Sequence, residues 1–457
     1  MKFFEYDVVI MGGGTAGVPA ALASARSGAK TLLVEQTGSL GGSSSNGMPW
    51  GGMFDSEHRQ IIFGIPDELV KKSVELGALG YVHYGSDDGH NWISALACVD
   101  SEIARFLFRK EVRDSGCDVM LYSTLYDAQV NDGILESIRV FTRGGPVEIK
   151  GKAFIDCSGD AALANLSGVP WERGEGEQQQ CVASLIRVSG IDLDRFRDYM
   201  NSEINVEGWY PWDYRDGPTR GGFTYWCPWK EHSDYFKYPP KQLGFIWSGF
   251  SGDVYLNCTN TDADGLDPLS LSEGDYHLRA QAREIASFFK EYVPGFENSY
   301  LAHVYDIGVR ESRRIKGVYQ LTKEDLLTSR AFEDAIGLGA YPLDHHKLGG
   351  EVKILTHDEL KESELKSSYQ IPYRSLINST VHNLAVAGRC ISCTFEAQAA
   401  LRGIGPCMVE GEAVGYAAAM AVRNGTDFVH LDASALCELL KEKRAVVYGE
   451  ELGEALK

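Results

Sequence analysis

Three glycines near the start of the chain have the spacing and the setting of a nucleotide-binding turn. Gly12, Gly14 and Gly17 form the pattern GxGxxG directly after the apolar run 8–11. The first glycine permits a tight turn, the second leaves room for a pyrophosphate, and the third lets a helix pack against the strand. The N-terminus of that helix presents unpaired N–H groups and a partial positive charge to phosphates. The contacts predicted from this turn come from Gly12, Gly14, Thr15, Ala16 and Gly17.

The elements around the turn are those that a dinucleotide site requires. An alanine-rich run, 16–25, predicts the helix, which stops at Gly28. A second apolar run, 31–34, predicts a strand that ends at Glu35, whose carboxylate can accept hydrogen bonds from ribose hydroxyls. Because the glycine pattern occurs together with strand, helix, second strand and acid, the sequence predicts dinucleotide binding rather than a chance glycine-rich turn.

The segment after Glu35 indicates which dinucleotide is bound. The chain continues through Gly41, Gly42 and Ser43. An acid followed by a Gly-Gly pair resembles the glutathione-reductase-like flavoproteins, in which this loop continues toward the flavin, so the resemblance implies FAD and contacts from these three residues. A second GxGxxG after a strand is not found, which predicts one dinucleotide. Electrons would then come from the substrate or from a diffusible electron carrier.

Later segments resemble other parts of the same superfamily. The strand that ends at Asp156 is followed by Ser-Gly-Asp, and a second apolar strand, 384–387, ends in Gly-Arg. The first of these is also compatible with an ordinary strand-to-helix turn with an N-cap aspartate. A helix over 407–422 is expected to point its N-terminus at the flavin pyrimidine. The cofactor contacts that the resemblance implies here are Val130 (to adenine), Gly159, Asp160, Gly388, Arg389 and Gly405.

Longer stretches look like one bacterial family. Residues 308–317, 321–325, 341–346 and 383–419 resemble the FAD-dependent oxidoreductases related to the succinate dehydrogenase and fumarate reductase flavoproteins. The resemblance implies an α/β fold, with a Rossmann-like FAD-binding domain and an inserted α+β substrate domain. The FAD-binding domain would be discontinuous, 1–170 and 375–457, and the insertion would be 171–374.

The same resemblance supplies the candidates for catalysis. Its usual Asp-x-His maps onto Asp344 and His346, and a histidine there could take a hydroxyl proton while a hydride leaves the adjacent carbon. His345 between them leaves open which histidine faces the flavin. Arg402, just before the last cofactor helix, could anchor substrate or form a salt bridge to Glu396 or Glu410; among the arginines at 310–314, Arg310 is the second cationic candidate.

Two further stretches have alternative interpretations. Residues 205–255 are dense in aromatic side chains, which could stack on a sugar or planar ligand or could form a lid that packs on itself or on another subunit. Cys390 and Cys393 form a CxxC that could be a redox pair, but small packed residues beside the cofactor are the favoured interpretation. The sequence predicts no metal site.

Composition excludes some classes of partner. The net charge of -20 argues against nucleic acid and against an anionic membrane surface. The nucleotide strand begins almost at the first residue and no apolar run is long enough to span a membrane, so a cytoplasmic protein with free thiols is expected. A homo-oligomer is compatible with the sequence.

The predicted function is hydride transfer between flavin and a polar small-molecule substrate such as a sugar, a glycoside or a hydroxylated ring. The first alternative is reduction of an activated C=C bond, which would suit the arginines. The second is a non-redox flavoprotein, such as an isomerase or hydratase, and the third is a binding or assembly protein. Flavin reduction by substrate separates a hydride-transferring oxidoreductase from the non-redox classes.

Overall fold

The structure is a computed structural model that describes residues 2–55, 58–83, 95–174, 179–202, 222–226, 228–229, 232–240, 244–250, 252–350, 352–354 and 368–445. The strands are β1 (Lys2–Met11), β2 (Thr31–Val34), β3 (Gly80–His83), β4 (Ala95–Cys98), β5 (Asp118–Met120), β6 (Thr124–Asn131), β7 (Ile134–Thr142), β8 (Gly145–Asp156), β9 (Trp171–Glu172), β10 (Ile186–Ser189), β11 (Gly222–Trp226), β12 (Gly244–Phe250), β13 (Asp253–Asn257), β14 (Tyr300–Val304), β15 (Arg314–Ile315), β16 (Ala335–Gly339), β17 (Asp344–His346), β18 (Val352–Ile354), β19 (Tyr369–Pro372) and β20 (Leu384–Val386). The helices are α1 (Gly17–Arg26), α2 (Gly64–Glu75), α3 (Ser101–Asp114), α4 (Ala162–Leu166), α5 (Leu193–Ser202), α6 (Pro268–Tyr292), α7 (Lys323–Leu327), α8 (Phe395–Leu401), α9 (Ile404–Asn424) and α10 (Ala433–Glu442).

A parallel sheet carries the nucleotide-binding elements. In the described part of the chain its strand order is β5-β2-β1-β8-β7-β6, with β20 paired to β8. Strands β5, β2, β1, β8 and β20 run parallel, and their carboxyl ends are level, since Met11 lies opposite both Val34 and Asp156, and Asp156 lies opposite Val386. The residues that follow these strands therefore meet at one edge, which is where ligands bind in such sheets. The predicted α/β class with a Rossmann-like sheet is confirmed.

A second sheet lies in the middle of the sequence. It is antiparallel, in the order β11-β12-β13-β10-β14. One face of α6 packs on it through Ala282, Ile285, Phe288 and Phe289, all buried. These residues form an apolar core separate from the core of the parallel sheet.

The large core joins the two ends of the chain. It contains residues between 6 and 169 together with residues between 315 and 445. Ile315, Leu321 and Ile336, which the sequence places in the inserted domain, pack in this large core. These residues after 315 thus pack on the side of the parallel sheet. The domain boundaries 1–170, 171–374 and 375–457 stay a prediction.

Across the residues described here, none of the helices combines the length and the apolarity that crossing a membrane requires.

Helix α9 carries a buried carboxylate that supports the start of α2. Oε2 of Glu412 accepts a hydrogen bond from the backbone N–H of Ile65 at 3.1 Å, in the first turn of α2. Oε1 is buried and has no hydrogen-bond partner among the described residues. Burial, together with the charge of Glu68, raises the pKa of Glu412 to about 8 against the lowering effects of the Ile65 N–H and of Arg26. The folded protein therefore holds this carboxyl protonated at neutral pH.

We expect Glu412→Gln to stabilise the protein most at alkaline pH. Because the folded pKa lies above the unfolded value, the wild-type contribution is complete below about pH 4.5 and is lost as pH rises through about 8. A glutamine amide keeps the neutral form at every pH, so the variant should gain about 4 kcal/mol over wild type at pH 8.5 and less than about 1 kcal/mol at pH 5. Chemical denaturation at both pH values measures the difference.

The matched control is Glu438→Gln on α10, whose side chain is 69% exposed and pairs with Lys441. It should leave the pH dependence unchanged. Equal pH dependence in Glu412→Gln and wild type would contradict a protonated buried carboxyl.

Candidate functional site

The turn after β1 has the close packing that its glycines imply. Gly12 has φ of +99°, and a Cβ built there would lie 2.5 Å from the carbonyl oxygen of Cys157. A Cβ on Gly17 would lie 1.9 Å from the carbonyl oxygen of Gly12. These two positions exclude any side chain because backbone already fills the space.

Gly14 differs from its two neighbours in the motif. A Cβ there would meet only the carbonyl oxygen of Cys157, at 4.0 Å. Within the described residues, no side chain caps the first turn of α1 at Ala16. These two features fit a pyrophosphate. It would occupy the open space at Gly14 and accept hydrogen bonds from the uncapped N-terminus of α1.

Glu35 lies at the same edge of the sheet, directly after β2. Its Oε2 accepts from the N–H of Gly13 at 2.8 Å and its Oε1 accepts from the N–H of Thr37 at 2.7 Å. These bonds fix the carboxylate beside the glycine turn. Each carboxylate oxygen has a further lone pair, so the predicted acceptance of ribose hydroxyls is compatible with this position.

The Gly-Gly loop lies against the glycine turn. The N–H of Gly41 donates to the carbonyl of Gly13 at 2.7 Å, and Oγ1 of Thr15 donates to the carbonyl of Gly41 at 3.3 Å. Gly42 approaches Gly14 closely, since its Cβ would lie 3.2 Å from the Gly14 Cα. Ser43 is exposed next to it. The structure thus brings all of these predicted cofactor residues together.

Arg389 ties the strand ends to the middle segment of the chain. Its guanidinium donates to the carbonyl of Gly159 at 2.7 Å, and it also bonds the carbonyl of Val309 and the carboxylate of Asp160. Gly388 precedes it with φ of +93°. Gly159, Asp160, Gly388 and Arg389 therefore lie together after β8 and β20, where cofactor contact remains a prediction.

A buried acid that the sequence analysis named only as a possible partner of Arg402 lies behind this cluster. Oε2 of Glu410 on α9 accepts from the N–H of Gly388 at 2.7 Å, and the residue is fully buried. Burial raises the pKa of Glu410 well above its usual value. The signal that could have found it is the pair of acids Glu410 and Glu412 in the middle of a helix made mostly of small and apolar residues.

The start of α9 lies against the loop 46–53 that follows the Gly-Gly pair. The N–H of Gly405 donates to the carbonyl of Gly51 at 3.0 Å. Tyr341 packs on both, since Cβ atoms built on Gly51 and Gly403 would lie 3.0 and 2.6 Å from its ring. Tyr341 was not singled out from the sequence, although it stands just before Asp344.

Val130 is not brought to this edge. It lies in β6, and β8 and β7 separate β6 from β1, whereas Glu35 follows β2 on the other side of β1. The residues beside Glu35 are instead those after β5: the N–H of Ser123 donates to the carbonyl of Glu35 at 3.0 Å, and that of Tyr122 to Thr37 at 3.1 Å. The strand order thus separates Val130 from Glu35, and the adenine contact at Val130 remains a prediction.

The predicted acid–base residues form a buried ion cluster. Nε2 of His346 lies 3.0 Å from Oδ2 of Asp344. Arg402 donates to the backbone carbonyl of Asp344 at 2.6 Å, and its Nη2 lies 3.6 Å from Oδ2 of the same residue. Asp344 and His346 are both less than one-tenth exposed. Arg402 thus pairs with Asp344 rather than with Glu396 or Glu410.

The charges in this cluster keep Asp344 ionised. Burial alone would raise the pKa of Asp344, but the positive charges of His346, Arg402 and Arg310 hold it well below its usual range. Burial also raises the pKa of the Tyr341 phenol, and the charge of Asp344 raises it further. A carboxylate that stays charged and a phenol that stays neutral therefore face each other.

The other two candidates have different surroundings. Arg310 is buried, and its guanidinium donates to the carbonyl of Cys181 at 2.8 Å. Burial lowers the pKa of Arg310, and the nearby charge of Arg402 lowers it further. The His345 ring lies 5.4 Å from the ring of Phe395, and burial lowers the pKa of His345 to about 4, with Arg402 adding to the effect. His345 is therefore neutral near pH 7.

Two glutamines missed by the sequence analysis link this cluster to the strand ends. Nε2 of Gln180 donates to Oε1 of Gln398 at 3.0 Å, and the N–H of Cys181 donates to the carbonyl of His346 at 2.9 Å. Nε2 of Gln398 donates to the carbonyl of Arg389 at 3.3 Å. The acid–base cluster is thereby held at a fixed place relative to Arg389.

The CxxC does not have the properties of a redox pair. Cys390 and Cys393 are both free and fully buried. Burial raises the pKa of Cys390 well above its usual value and that of Cys393 to about 12. Thiols held in the protonated form are poor nucleophiles, so the packing interpretation is favoured.

Four aromatic side chains of the stretch 205–255 are buried inside the protein: Trp229, Phe236, Trp247 and Tyr255. The rings of Trp247 and Tyr255 stack with centroids 4.4 Å apart, and Nε1 of Trp247 donates to the carbonyl of Gly47 at 2.7 Å. Trp229 is buried against Phe289. This favours packing over ligand stacking for these rings; Trp209, Tyr210, Trp212 and Tyr214 lie outside the described residues.

Comparison with known proteins gives a family and several relatives. A family model described as FAD dependent oxidoreductase matches residues 7–440. The chain is 30% identical over 155 residues to the tRNA uridine 5-carboxymethylaminomethyl modification enzyme MnmG of Buchnera aphidicola, covering 34% of this chain and 23% of that protein. It is 24% identical over 222 residues to the digeranylgeranylglycerophospholipid reductase of Methanothrix thermoacetophila, covering 46% and 54%. The chain thus spans about half or less of the length of these relatives.

Two solved structures share the fold. GidA of Aquifex aeolicus superposes with a TM-score of 0.53 at 16% identity, over 99% of this chain and 75% of that one. A triple mutant of the flavin-dependent brominase Bmp2 gives 0.50 at 14% identity, over 96% and 84%. At such low identity the likeness shows the fold alone.

We expect Gly14→Ala to weaken FAD binding without unfolding the apoprotein. The added methyl group has room in the structure but enters the space that the pyrophosphate would occupy. The affinity for FAD should fall about tenfold or more, since ~1.4 kcal/mol of lost contact has that effect. FAD titration followed by quenching of flavin fluorescence measures the affinity, and thermal unfolding of the apoprotein checks the fold.

Gly144→Ala in the β7–β8 turn is the control, because its Cβ would meet only Oγ1 of Thr142 at 3.6 Å. FAD affinity equal to wild type in Gly14→Ala would contradict the assignment of this space to the pyrophosphate.

Proposed function

This chain belongs to the FAD-dependent oxidoreductase family, and we propose that it transfers a hydride between a carbon of a polar small molecule and FAD. The cofactor is FAD, as the family requires. The substrate that we propose is a sugar, a glycoside or a hydroxylated ring. The observation that carries the proposal is the buried Asp344–His346 pair, held by Arg402.

The first step in the argument is the state of His346. Because Asp344 stays ionised, its Oδ2 is an acceptor, and Nε2 of His346 at 3.0 Å carries the hydrogen that it accepts. When the ring of His346 is neutral, this tautomer makes Nδ1 its basic nitrogen, and when it is protonated its charge stabilises Asp344. A substrate hydroxyl that gives its proton to Nδ1 would leave an imidazolium that Asp344 stabilises across the 3.0 Å contact.

The second step is the position of the pair. Asp344 lies three residues after Tyr341, which packs on the loop 46–53 and on Gly403 at the start of α9. We expect this region to face the flavin, which when bound would supply the hydride acceptor or donor. Arg402, between α8 and α9, holds the backbone of Asp344 and so fixes the distance of the pair from that region.

The remaining predictions form part of the proposal. They comprise the discontinuous FAD-binding domain with its inserted substrate domain, a diffusible electron carrier, and a homo-oligomer. The two arginines support a second candidate function, reduction of an activated C=C bond, because Arg402 and Arg310 place positive charge near Asp344, the partner of His346. There His346 would donate the proton instead of accepting it. One relative carries the name of a reductase.

The test is the rate of flavin reduction in two histidine variants under anaerobic conditions. His346→Gln should retain FAD but be reduced by substrate roughly 10²-fold or more slowly than wild type, the usual loss for a general base. His345→Gln removes a neutral ring that contacts Phe395 and should change the rate little. Stopped-flow absorbance of the flavin measures both, and the absorbance of the resting proteins checks FAD content.

An unchanged rate in His346→Gln would remove this residue from the mechanism. A large loss in His345→Gln alone would assign the role to the neighbouring histidine. If substrate is converted with no change in flavin absorbance, the non-redox class is correct instead.

A further inference from the structure

A cluster of metal-ligating side chains lies outside the flavin site. His382, Asp427 and His430 each offer a ligand atom, and these atoms all lie within 4.8 Å of one another. His382 belongs to the turn before β20, whereas Asp427 and His430 follow α9, so the two parts are far apart in the sequence. This separation is why the sequence pattern predicts no metal site.

The backbone that carries the three side chains is held in place by the protein itself. The N–H of His382 donates to the carbonyl of Gly133 at 2.9 Å, and the N–H of Phe428 donates to the carbonyl of His382 at 3.1 Å. Phe428 is fully buried, and its carbonyl accepts from the hydroxyl of Tyr373 at 2.9 Å. The two turns are therefore joined before any ion binds, and only side-chain rotations remain.

The side chains themselves are accessible and already oriented in part. Nδ1 of His430 lies 2.8 Å from Oδ1 of Asp427, while Nδ1 of His382 lies 3.9 Å from Oδ2 of the same carboxylate. The two imidazole rings have centroids 5.6 Å apart. The side chains of His382, Asp427 and His430 are 37%, 20% and 65% exposed, so an ion can reach them from solvent.

We propose that His382, Asp427 and His430 bind one divalent transition-metal ion, with Zn²⁺ as the probe of choice. Two imidazoles and one carboxylate suit Zn²⁺, Co²⁺ or Ni²⁺, whereas Mg²⁺ and Ca²⁺ select sites made of oxygen atoms alone. Three protein ligands leave at least one position on the ion for water.

The place of the site in the fold assigns it a stabilising role. His382 stands at the amino end of β20 and Asp427 follows the carboxyl end of α9. The opposite ends of these two elements, at Gly388 and Gly405, lie at the edge of the sheet that holds the cofactor residues. A bound ion would therefore link the start of β20 to the end of α9, at a distance from the flavin site. Because it binds only the folded protein, it would stabilise the folded state by mass action.

Calorimetric titration of the FAD-loaded full-length protein, with any affinity tag removed and after dialysis against a chelator, tests the proposal. Zn²⁺ should bind with a stoichiometry of one and raise the melting temperature, while Mg²⁺ should do neither. His382→Ala and His430→Ala should each weaken Zn²⁺ binding about tenfold or more, because each removes one ligand. Co²⁺ added instead should give visible absorption bands that both variants lack.

The matched control is His277→Ala on α6. His277 is also a surface histidine beside an acid, with its Nε2 3.1 Å from Glu273, but it has no third ligand in the described part of the chain. It should bind Zn²⁺ as wild type does. The proposal is overturned if wild type binds no Zn²⁺, or if His277→Ala loses as much affinity as His382→Ala and His430→Ala. His430 is mostly exposed, so its variant folds even if His382→Ala does not.

Discussion

The close contact between α1 and α9 is the constraint on which the rest of the structure depends. A Cβ on Gly411 would lie 2.0 Å from the carbonyl oxygen of Ala16, and one on Gly415 would lie 2.5 Å from that of Ala20. The Oγ of Ser24 adds a hydrogen bond to the carbonyl of Gly415 at 3.0 Å. Because the two helices come this close, the uncapped start of α1 and the start of α9 belong to one packed unit. Residues from opposite ends of the sequence can therefore contribute to one cofactor site.

Charge compensation holds the acid–base cluster against that unit. Asp344 is buried, and a buried carboxylate is stable only where positive groups surround it. His346, Arg402 and Arg310 supply that charge, and Arg402 also binds the backbone of Asp344. Arg389 forms a similar set of polar contacts at the strand ends, where it donates hydrogen bonds to the carboxylate of Asp160 and to the carbonyls of Gly159 and Val309. The polar contacts thus fix the middle segment of the chain relative to the parallel sheet.

The parts of this arrangement that follow local sequence rules could be predicted. The glycine turn, Glu35 and the small residues of α9 are signals within a few residues of one another, and each has the expected place in the structure. Features that depend on strand order could not be predicted: nothing near Val130 in the sequence says that β8 and β7 separate β6 from β1. The partner of Arg402 shows the same limit: Glu396 and Glu410 are its neighbours in sequence, but tertiary packing brings Asp344. Glu410 and the His382–Asp427–His430 cluster also depend on contacts between distant segments.

The most direct test of hydride transfer at this site is an anaerobic titration of the FAD-loaded protein with a panel of sugars, glycosides and hydroxylated rings. The account predicts that at least one compound bleaches the visible flavin absorption, and that deuterium on the carbon that loses the hydride slows the bleaching. The account is contradicted if no compound in the panel bleaches the flavin while dithionite does, because the site then does not take a hydride from a hydroxyl-bearing carbon.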